Sequence, residues 1–169
     1  ENIVLVYNLN QELTSNYTAL RDQLLNIPGI EDVAASSHTV GRGSSGQGIM
    51  MHGDDPSRVR SIAEYRIWPG LCRLYQFNLV AGRFLETERK SDRQGVILNE
   101  SAVRMLGSTP QKIVGKLVQM HSDPLEVIGV VEDFHYESAA REVKPLVLTA
   151  YSDDIWNISI RYTPGSDAQ

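Results

Sequence analysis

The sequence predicts an α+β fold for this chain of 169 residues. Two observations lead to this class. The first 36 residues alternate between strand-like and helix-like apolar spacing, in the order strand, helix, strand. Residues 127–131 (VIGVV) form a short run rich in β-branched residues, which is typical of a central strand buried on both faces.

The composition excludes several classes of protein. Apolar residues make up 41% and charged residues 22% of the chain, as in an ordinary folded protein. The net charge of −5, without a basic stripe, argues against a nucleic-acid partner. No apolar segment approaches the roughly 18 residues needed to span a bilayer. The single cysteine, Cys72, excludes an internal disulfide and a cysteine-based metal cluster.

A β-α-β unit is predicted at the start of the chain. Residues 2–9 carry apolar side chains on both faces, which indicates a well-buried strand. Asn10 can cap the helix that follows, and Pro28 and Gly29 end this helix. Residues 30–35 form the second strand, which we expect to be parallel or nearly parallel to the first.

A glycine-rich segment follows at residues 41–48 (GRGSSGQG), with GxGxxG spacing at Gly41, Gly43 and Gly46. A phosphate-binding turn of this kind must open a helix, because the amides of the helix N-terminus supply the anion site. Only four residues follow before a turn at residues 53–56, so no nucleotide site is predicted. We expect residues 41–48 to form a mobile loop unless a partner holds them.

The middle of the chain alternates between strands and short helices. Residues 59–68 predict a strand, and a short helix is expected from Leu71 onwards, after a Pro-Gly break. Residues 86–93 are a charged run, interpreted as surface, and residues 95–98 predict a strand.

Two helical segments come next. Asn99 is expected to cap a helix that runs through Leu106 and ends at Gly107. Residues 110–114 add one helical turn, which Gly115 closes.

A hairpin is predicted from residues 116–121 and 125–131, with residues 122–124 (SDP) as its polar turn, because proline cannot donate to a central ladder. Gly129 lies within the second strand, which indicates that another backbone or a large ring approaches closely there. Residues 145–151 and 156–162 predict two further strands, the second of them half-buried.

Asp133 and His135 are the best local candidates for acid–base or metal chemistry. They lie two residues apart, so on a strand they share a face, and Glu137 continues the alternation. A site needs a third ligand or a nucleophile, and none is near in sequence. The structural interpretation, in which Asp133 and His135 bond to each other or to the backbone at a strand exit, is therefore favoured.

The remaining candidates are weaker. His38, His52 and His121 are scattered and lack the ligand spacing of zinc sites. Ser44 and Ser45 lack the G-x-S-x-G context of a nucleophile. Other interpretations are structural: Cys72 is expected to be a buried small hydrophobe, and Met50 and Met51 an edge of the core. No catalytic, cofactor-binding or metal-binding residue is predicted.

Four segments resemble one family in its own order. They are GRF at 82–84, VILNESA at 96–102 with LG at 106–107, IVGK at 113–116, and VIGVVEDFHYES at 127–138 with KPL at 144–146. Together these segments are similar to the extracytoplasmic (periplasmic) core domain of MacB/FtsX-type ABC transporter permeases. The resemblance covers residues 70–150 best.

The resemblance implies two lobes. A porter-like β-α-β lobe would comprise residues 1–70 and 142–169, and a smaller α/β lobe, residues 71–141, would be inserted into it. The break at Pro69 and Gly70 agrees with this boundary. By the same resemblance, a further βα unit would follow, so we expect an uncovered apolar face or an unpaired edge beside the last strand.

The resemblance also implies a function without catalysis or cofactors. The domain would lie on the periplasmic face of the bacterial cytoplasmic membrane and couple ATP-driven motion to the extrusion of a substrate. Its partners would be the transmembrane helices of its own chain, a second permease copy, the cytoplasmic ATPase subunit indirectly, and a periplasmic adaptor or substrate. Two alternatives stay open: a stand-alone periplasmic ligand-binding module, and an enzyme that uses Asp133 and His135.

Overall fold

The computed structural model describes residues 2–7, 9, 15–40, 44–86, 89–134, 143–150 and 156–165. The strands of this part are β1 (Ile3–Val6), β2 (Ile30–Ser36), β3 (Ser45–Met51), β4 (Arg60–Ile67), β5 (Leu79–Gly82), β6 (Gly95–Asn99), β7 (Leu117–Met120), β8 (Asp123–Val131), β9 (Leu146–Ala150) and β10 (Asn157–Tyr162). The α-helices are α1 (Tyr17–Leu25), α2 (Leu71–Leu74), α3 (Glu100–Met105) and α4 (Pro110–Ile113), and short 3-10 helices lie at Pro56–Arg58 and Lys90–Gln94. No helix in these ranges is long and apolar enough to cross a membrane. The mixture of helices and strands confirms the predicted α+β class.

Six of the strands close into a barrel. The pairing runs β4-β3-β7-β8-β6-β9, and β9 then pairs with β4 in parallel, which completes the ring. One edge of β8 pairs with β6. The other edge pairs with β7 over the first half of β8 and with β5 over the second half. The run at residues 127–131 is therefore a central strand, as predicted, and its four side chains are buried.

The interior of the barrel is a packed apolar core. Every barrel strand contributes to it, and α3 and α4 add three side chains. Because α3 begins directly after β6, it covers the end of the barrel at which β6 finishes. The buried members are Ile49, Ile62, Val96, Leu98, Ala102, Val103, Ile113, Val118, Met120, Val127, Val130 and Val147.

β1, β2 and β10 form a three-stranded extension of the sheet. β10 pairs antiparallel with β1 on one side and with β2 on the other. β1 and β2 are therefore parallel, as predicted for a β-α-β unit, with β10 between them. The extension joins the barrel through β2 and β4, at the pair Ser36 and Ile67.

Helices cover both faces of this extension. On one face α1 packs against β2, with Tyr17 edge-on to the ring of Trp68 at a centroid distance of 4.6 Å. On the other face α2 packs between the extension and the barrel wall, and its Leu71 and Leu74 are fully buried. Apolar clusters on both faces of the sheet therefore connect the extension to the barrel.

The termini of α3 follow the predicted capping. The Asn99 side chain accepts a hydrogen bond from the Ala102 N–H at 3.0 Å, and Gly107 ends the helix with a φ of 70°. Asn99 also accepts from the Leu146 N–H at 2.8 Å and donates to the Lys144 carbonyl at 2.9 Å. One buried side chain thus fixes both the start of α3 and the start of β9.

Gly129 lies where two backbones cross. A Cβ at Gly129 would collide with the carbonyl oxygen of Arg83, and a Cβ at Gly82 would collide with the carbonyl oxygen of Ile128. The predicted close approach at Gly129 is therefore confirmed, and the approaching group is the backbone at the end of β5.

Two predicted loops are placed differently by the structure. The prediction of a loop throughout residues 41–48 is wrong from Ser45 onwards, because β3 begins there and its register with β4 includes Gly46 and Gly48. The hairpin turn is also shorter than predicted. Met120 pairs with Asp123, and Pro124 pairs with Gln119 inside the ladder, so only two residues form the turn.

The prediction of a surface run at residues 86–93 is wrong for Asp92, which is 3% exposed. Its carboxylate accepts two hydrogen bonds from the Arg83 guanidinium, at 2.6 and 2.7 Å, and a third from the Glu86 N–H at 2.9 Å. Because the Arg83 guanidinium neutralises the charge of the Asp92 carboxylate, Asp92 can be buried within a strongly charged segment.

The prediction of a well-buried first strand is wrong for one face of β1. Val4 and Val6 are 49% and 39% exposed, whereas Ile3 and Leu5 on the other face are half-buried. In the described part of the chain β1 pairs only with β10, so it is an edge strand. The further βα unit that the resemblance implies beside the last strand stays a prediction.

The division into lobes at residues 71 and 141 stays a prediction. The hydrogen-bonded sheet runs across that boundary, since β3 pairs with β7 and β6 pairs with β9.

Candidate functional site

Asp133 lies just beyond β8, at the end of the barrel that α3 covers. Its Oδ1 accepts a hydrogen bond from the Ser101 N–H at 2.8 Å, and its Oδ2 accepts from the Ser101 hydroxyl at 2.7 Å and from the Arg104 guanidinium at 2.6 Å. His135 and Glu137, the other members of the predicted cluster, lie outside the described residues.

The environment of Asp133 favours its ionised form. Burial opposes ionisation, but the hydrogen bonds from Arg104 and Ser101 outweigh it and lower the pKa of this carboxyl group. Both oxygens are occupied and the proton is weakly held, which makes Asp133 a poor general base near neutral pH. What the arrangement does is fasten the end of β8 to the start of α3.

The other predicted candidates are dispersed over the fold. His52 is exposed and bonds Gln119, with 2.9 Å between Nδ1 and Oε1, while His121 lies in the hairpin turn with a φ of 51°. Cys72 is buried in the core beside α2, and this burial raises the pKa of its thiol to about 12, so it remains a small hydrophobe. Among the residues that the structure describes, no three His, Cys, Asp or Glu side chains form a group that could hold a metal ion.

A polar cleft lies at the other end of the barrel from α3. Its position follows from the register: Asn99 at the end of β6 bonds the first residue of β9, whereas Thr149 pairs with Val96 near the start of β6. A cavity of about 340 Å³ opens at this end. We call it the barrel-mouth cleft, and its lining residues are Ser37, His38, Ser45, Glu64, Arg66 and Trp156.

Glu64 is the most buried of the ionisable side chains in the barrel-mouth cleft, with its side chain 5% exposed. Oε1 accepts a hydrogen bond from the Thr149 hydroxyl at 2.9 Å and lies 3.7 Å from the Nε of Arg66. Oε2 is buried and has no hydrogen-bond partner among the described residues. Such an atom is rare in a folded protein, because an unsatisfied buried acceptor destabilises the fold by about 1–3 kcal/mol.

His38 lies beside Glu64, held from both sides by hydroxyl groups. Its Nδ1 is 2.9 Å from the Ser37 Oγ, its Nε2 is 3.3 Å from the Ser45 Oγ, and its ring stacks on Tyr65 at 5.5 Å. Burial and the charge of Arg66 lower the pKa of His38 from its usual 6.5, against the opposite influence of Glu64, so the ring is neutral at pH 7. Among the described residues, hydroxyl groups and not a carboxylate orient the ring, whereas a carboxylate supports the imidazolium in a catalytic triad.

The sequence contained a signal for this cleft that was not recognised. Ile62, Glu64 and Arg66 alternate on one face of β4, and Ile62 packs inside the barrel. A glutamate and an arginine that continue an apolar face indicate either a strand end or a buried polar site. His38 and Ser45 belong to separate segments of the sequence, and only the folded chain brings β2, β3 and β4 together.

Comparison with known proteins gives a match over the whole chain. The model of the MacB-like periplasmic core domain family matches residues 1–169. No curated protein matches the sequence.

Three solved structures have a similar fold. The periplasmic region of MacB from Actinobacillus actinomycetemcomitans has a TM-score of 0.66 and 19% identity, over 99% of this chain and 77% of that one. The extracellular domain of the noncanonic ABC-type transporter YknZ from Gram-positive bacteria has the same TM-score and identity, over 97% and 85%. A domain of a putative permease from Porphyromonas gingivalis has a TM-score of 0.60 and 17% identity, over 84% and 65%. At these identities the likeness establishes the fold alone.

Proposed function

Because the chain belongs to the MacB-like periplasmic core domain family, we propose that it couples the ATP-driven motion of an ABC transporter to substrate extrusion or to a periplasmic partner. The observation that carries this proposal is the match of the family model to the whole chain. Domains of this family belong to transporter permeases, so a mechanical role is favoured over catalysis.

The pairing of β1 with β10 supports this proposal. The Tyr162 N–H, at the end of β10, donates a hydrogen bond to the Asn2 carbonyl at 2.9 Å, next to the start of β1. A force on either strand would therefore act on both strands together, and the β2–β4 junction and the α2 core would pass it to the barrel.

The proposed location is the periplasmic face of the bacterial cytoplasmic membrane. The proposed partners are the transmembrane helices of the same chain, a second permease copy, a periplasmic adaptor or substrate, and, indirectly, the cytoplasmic ATPase subunit. The exposed edge of β1, with Val4 and Val6, offers an apolar surface for one of these contacts.

The test is a domain replacement in the full-length permease, reconstituted with its ATPase subunit in lipid vesicles. Residues 1–169 are exchanged for a flexible Gly/Ser linker, and ATP hydrolysis and transport are measured on the same preparation. We expect hydrolysis to continue while transport is lost, because the motor would no longer be connected to the extracytoplasmic step. Undiminished transport by the linker variant would contradict the coupling role.

The two alternatives are less well supported. A stand-alone binding module is less well supported because the family that matches the whole chain consists of transporter domains. An enzyme based on Asp133 would need a free carboxylate, whereas both oxygens of Asp133 are taken up by Ser101 and Arg104.

A further inference from the structure

We infer that the barrel-mouth cleft binds a neutral, polyhydroxylated ligand of about the size of one sugar ring, with Glu64 as its central acceptor. This inference concerns a binding site and does not depend on the proposed coupling function. Its starting point is the combination of a buried, unpartnered carboxylate oxygen with an open polar cavity at the mouth of a barrel, a common position for small-molecule sites.

The unpartnered oxygen of Glu64 requires a hydrogen-bond donor on the ligand. Oε1 of Glu64 is engaged by Thr149 and Arg66, but the buried Oε2 lacks a donor among the described residues. A ligand O–H or N–H directed at Oε2 would relieve this unsatisfied acceptor and form a charge-assisted hydrogen bond, which is about twice as strong as a neutral one.

Among the described residues that line the cleft, the charges favour a neutral ligand. Glu64 and Arg66 lie side by side and compensate each other, and His38 is neutral near pH 7. An organic cation would approach Oε2 against the charge of Arg66, and an anion would approach Arg66 against the charge of Glu64. Hydroxyl groups both donate and accept, so a sugar can meet the carboxylate without adding a net charge.

The remaining lining residues suit the two kinds of surface that a sugar presents. Trp156 is 52% exposed, so its indole ring is available to the C–H face of a pyranose. Its backbone is fixed on both sides, because its N–H donates to Ser36 and its carbonyl accepts from Leu9. Ser37 and Ser45 have hydroxyl groups at the rim, where each also contacts a ring nitrogen of His38. The cavity of about 340 Å³ lies at the small end of the roughly 300–1,000 Å³ range of ligand pockets.

The binding test uses the 169-residue chain labelled with ¹⁵N. The chain contains two tryptophans, and Trp68 is 8% exposed in the core, so the two indole N–H signals separate the cleft from the interior. The probes are glucose, N-acetylglucosamine, putrescine as the cation and inorganic phosphate as the anion. We expect saturable shifts of the Trp156 signal with at least one sugar, little change at Trp68, and no saturable shift with putrescine or phosphate.

Variants then locate the site. Glu64→Gln should weaken sugar binding about tenfold, because the charge-assisted bond is lost, and Trp156→Ala should abolish the stacking contribution. Glu126→Gln is the matched control, because Glu126 is exposed on β8, outside the cleft, and its affinity should equal that of the wild type. If Glu64→Gln loses its dispersed spectrum, the exposed Trp156→Ala variant still tests the site, with binding followed at the backbone amide signals of Ser37 and Ser45 because this variant lacks the indole of the cleft.

Three results would overturn the inference. They are no saturable shift with either sugar, tighter binding of putrescine or phosphate than of any sugar, and sugar binding that both cleft variants leave unchanged. The first of these would mean that water alone satisfies Oε2, as it does for many buried polar groups.

Discussion

The carbonyl oxygen of Arg83 occupies the space that a Cβ on Gly129 would need. β5 and β8 can therefore pair at this point only because position 129 has no side chain. Neither backbone can move far, since β8 is hydrogen-bonded on its other side to β6, and the side chain of Arg83 is tied to Asp92.

The first prediction concerns this crossing. Gly129→Ala should destabilise the domain by about 1–3 kcal/mol, because the added methyl group collides with backbone and not with a movable side chain. Chemical denaturation measures the difference. Gly46→Ala is the control, because Gly46 also lies in a barrel strand but a Cβ there meets nothing within 4 Å. Equal midpoints for Gly129→Ala and the wild type would show that the crossing can widen.

The second prediction concerns the pair formed by Arg83 and Asp92. Asp92→Asn should lower the free energy of unfolding by about 1.5–3 kcal/mol, since hydrogen bonds to a charged group are lost in a buried position. The exposed Asp22→Asn variant, on α1, should change it by less than about 0.5 kcal/mol.

The same pair should have a characteristic pH dependence. The hydrogen bonds from Arg83 lower the pKa of Asp92, so its stabilising contribution is complete above the unfolded-state pKa and is lost as the pH falls through the folded-state value. The difference between the wild type and Asp92→Asn should therefore be constant from pH 7 to pH 5 and shrink below about pH 4. A difference that grows on acidification would contradict the assignment.

The third prediction concerns His38. Its pKa is lowered in the folded state, so the unfolded chain takes up a proton more readily and stability is lost as the pH falls below about 6.5. Thermal unfolding between pH 7.5 and pH 5 measures this slope. The slope should flatten more in His38→Gln than in His52→Gln, which alters an exposed histidine. Equal slopes of stability against pH in the two variants would show that the surroundings of His38 do not lower its pKa.

The fourth prediction concerns the junction of α3 and β9. Asn99→Ala should destabilise the domain by about 2 kcal/mol or more, because it removes a helix cap and leaves the Leu146 N–H without its acceptor. Thr109→Ala is the control, since Thr109 precedes α4 without forming a side-chain cap. Similar losses in both variants would indicate that intrinsic helix propensity, and not the shared bonds of Asn99, explains the effect.

Local patterns in the sequence were sufficient for most elements. Alternation predicted the strand at residues 59–68, and Asn99 and Gly107 predicted the limits of α3, because these signals depend on neighbouring residues. Gly129 was informative for the same reason, since a glycine within an apolar strand indicates a close neighbour.

Long-range pairing could not be predicted in this way. Gly46 and Gly48 have low strand propensity, but both pair with β4, and the Cγ1 atom of Val59 lies 2.9 Å from the place of a Cβ on Gly48. Asp92 was assigned to the surface from its charged neighbours, because nothing local indicated that Arg83 would reach it. The barrel-mouth cleft was missed because its residues come from three separate segments.

The position of β10 between β1 and β2 has a consequence for biosynthesis. As the chain is made from its N-terminus, β1 and β2 leave the ribosome more than 100 residues before the strand that must separate them. Direct pairing of β1 with β2 would have to be undone before β10 could enter. Such distant contacts slow folding, because a long loop must close before they form. In the nascent chain β1 and β2 therefore stay without the strand that both pair with until residues 157–162 have been synthesised.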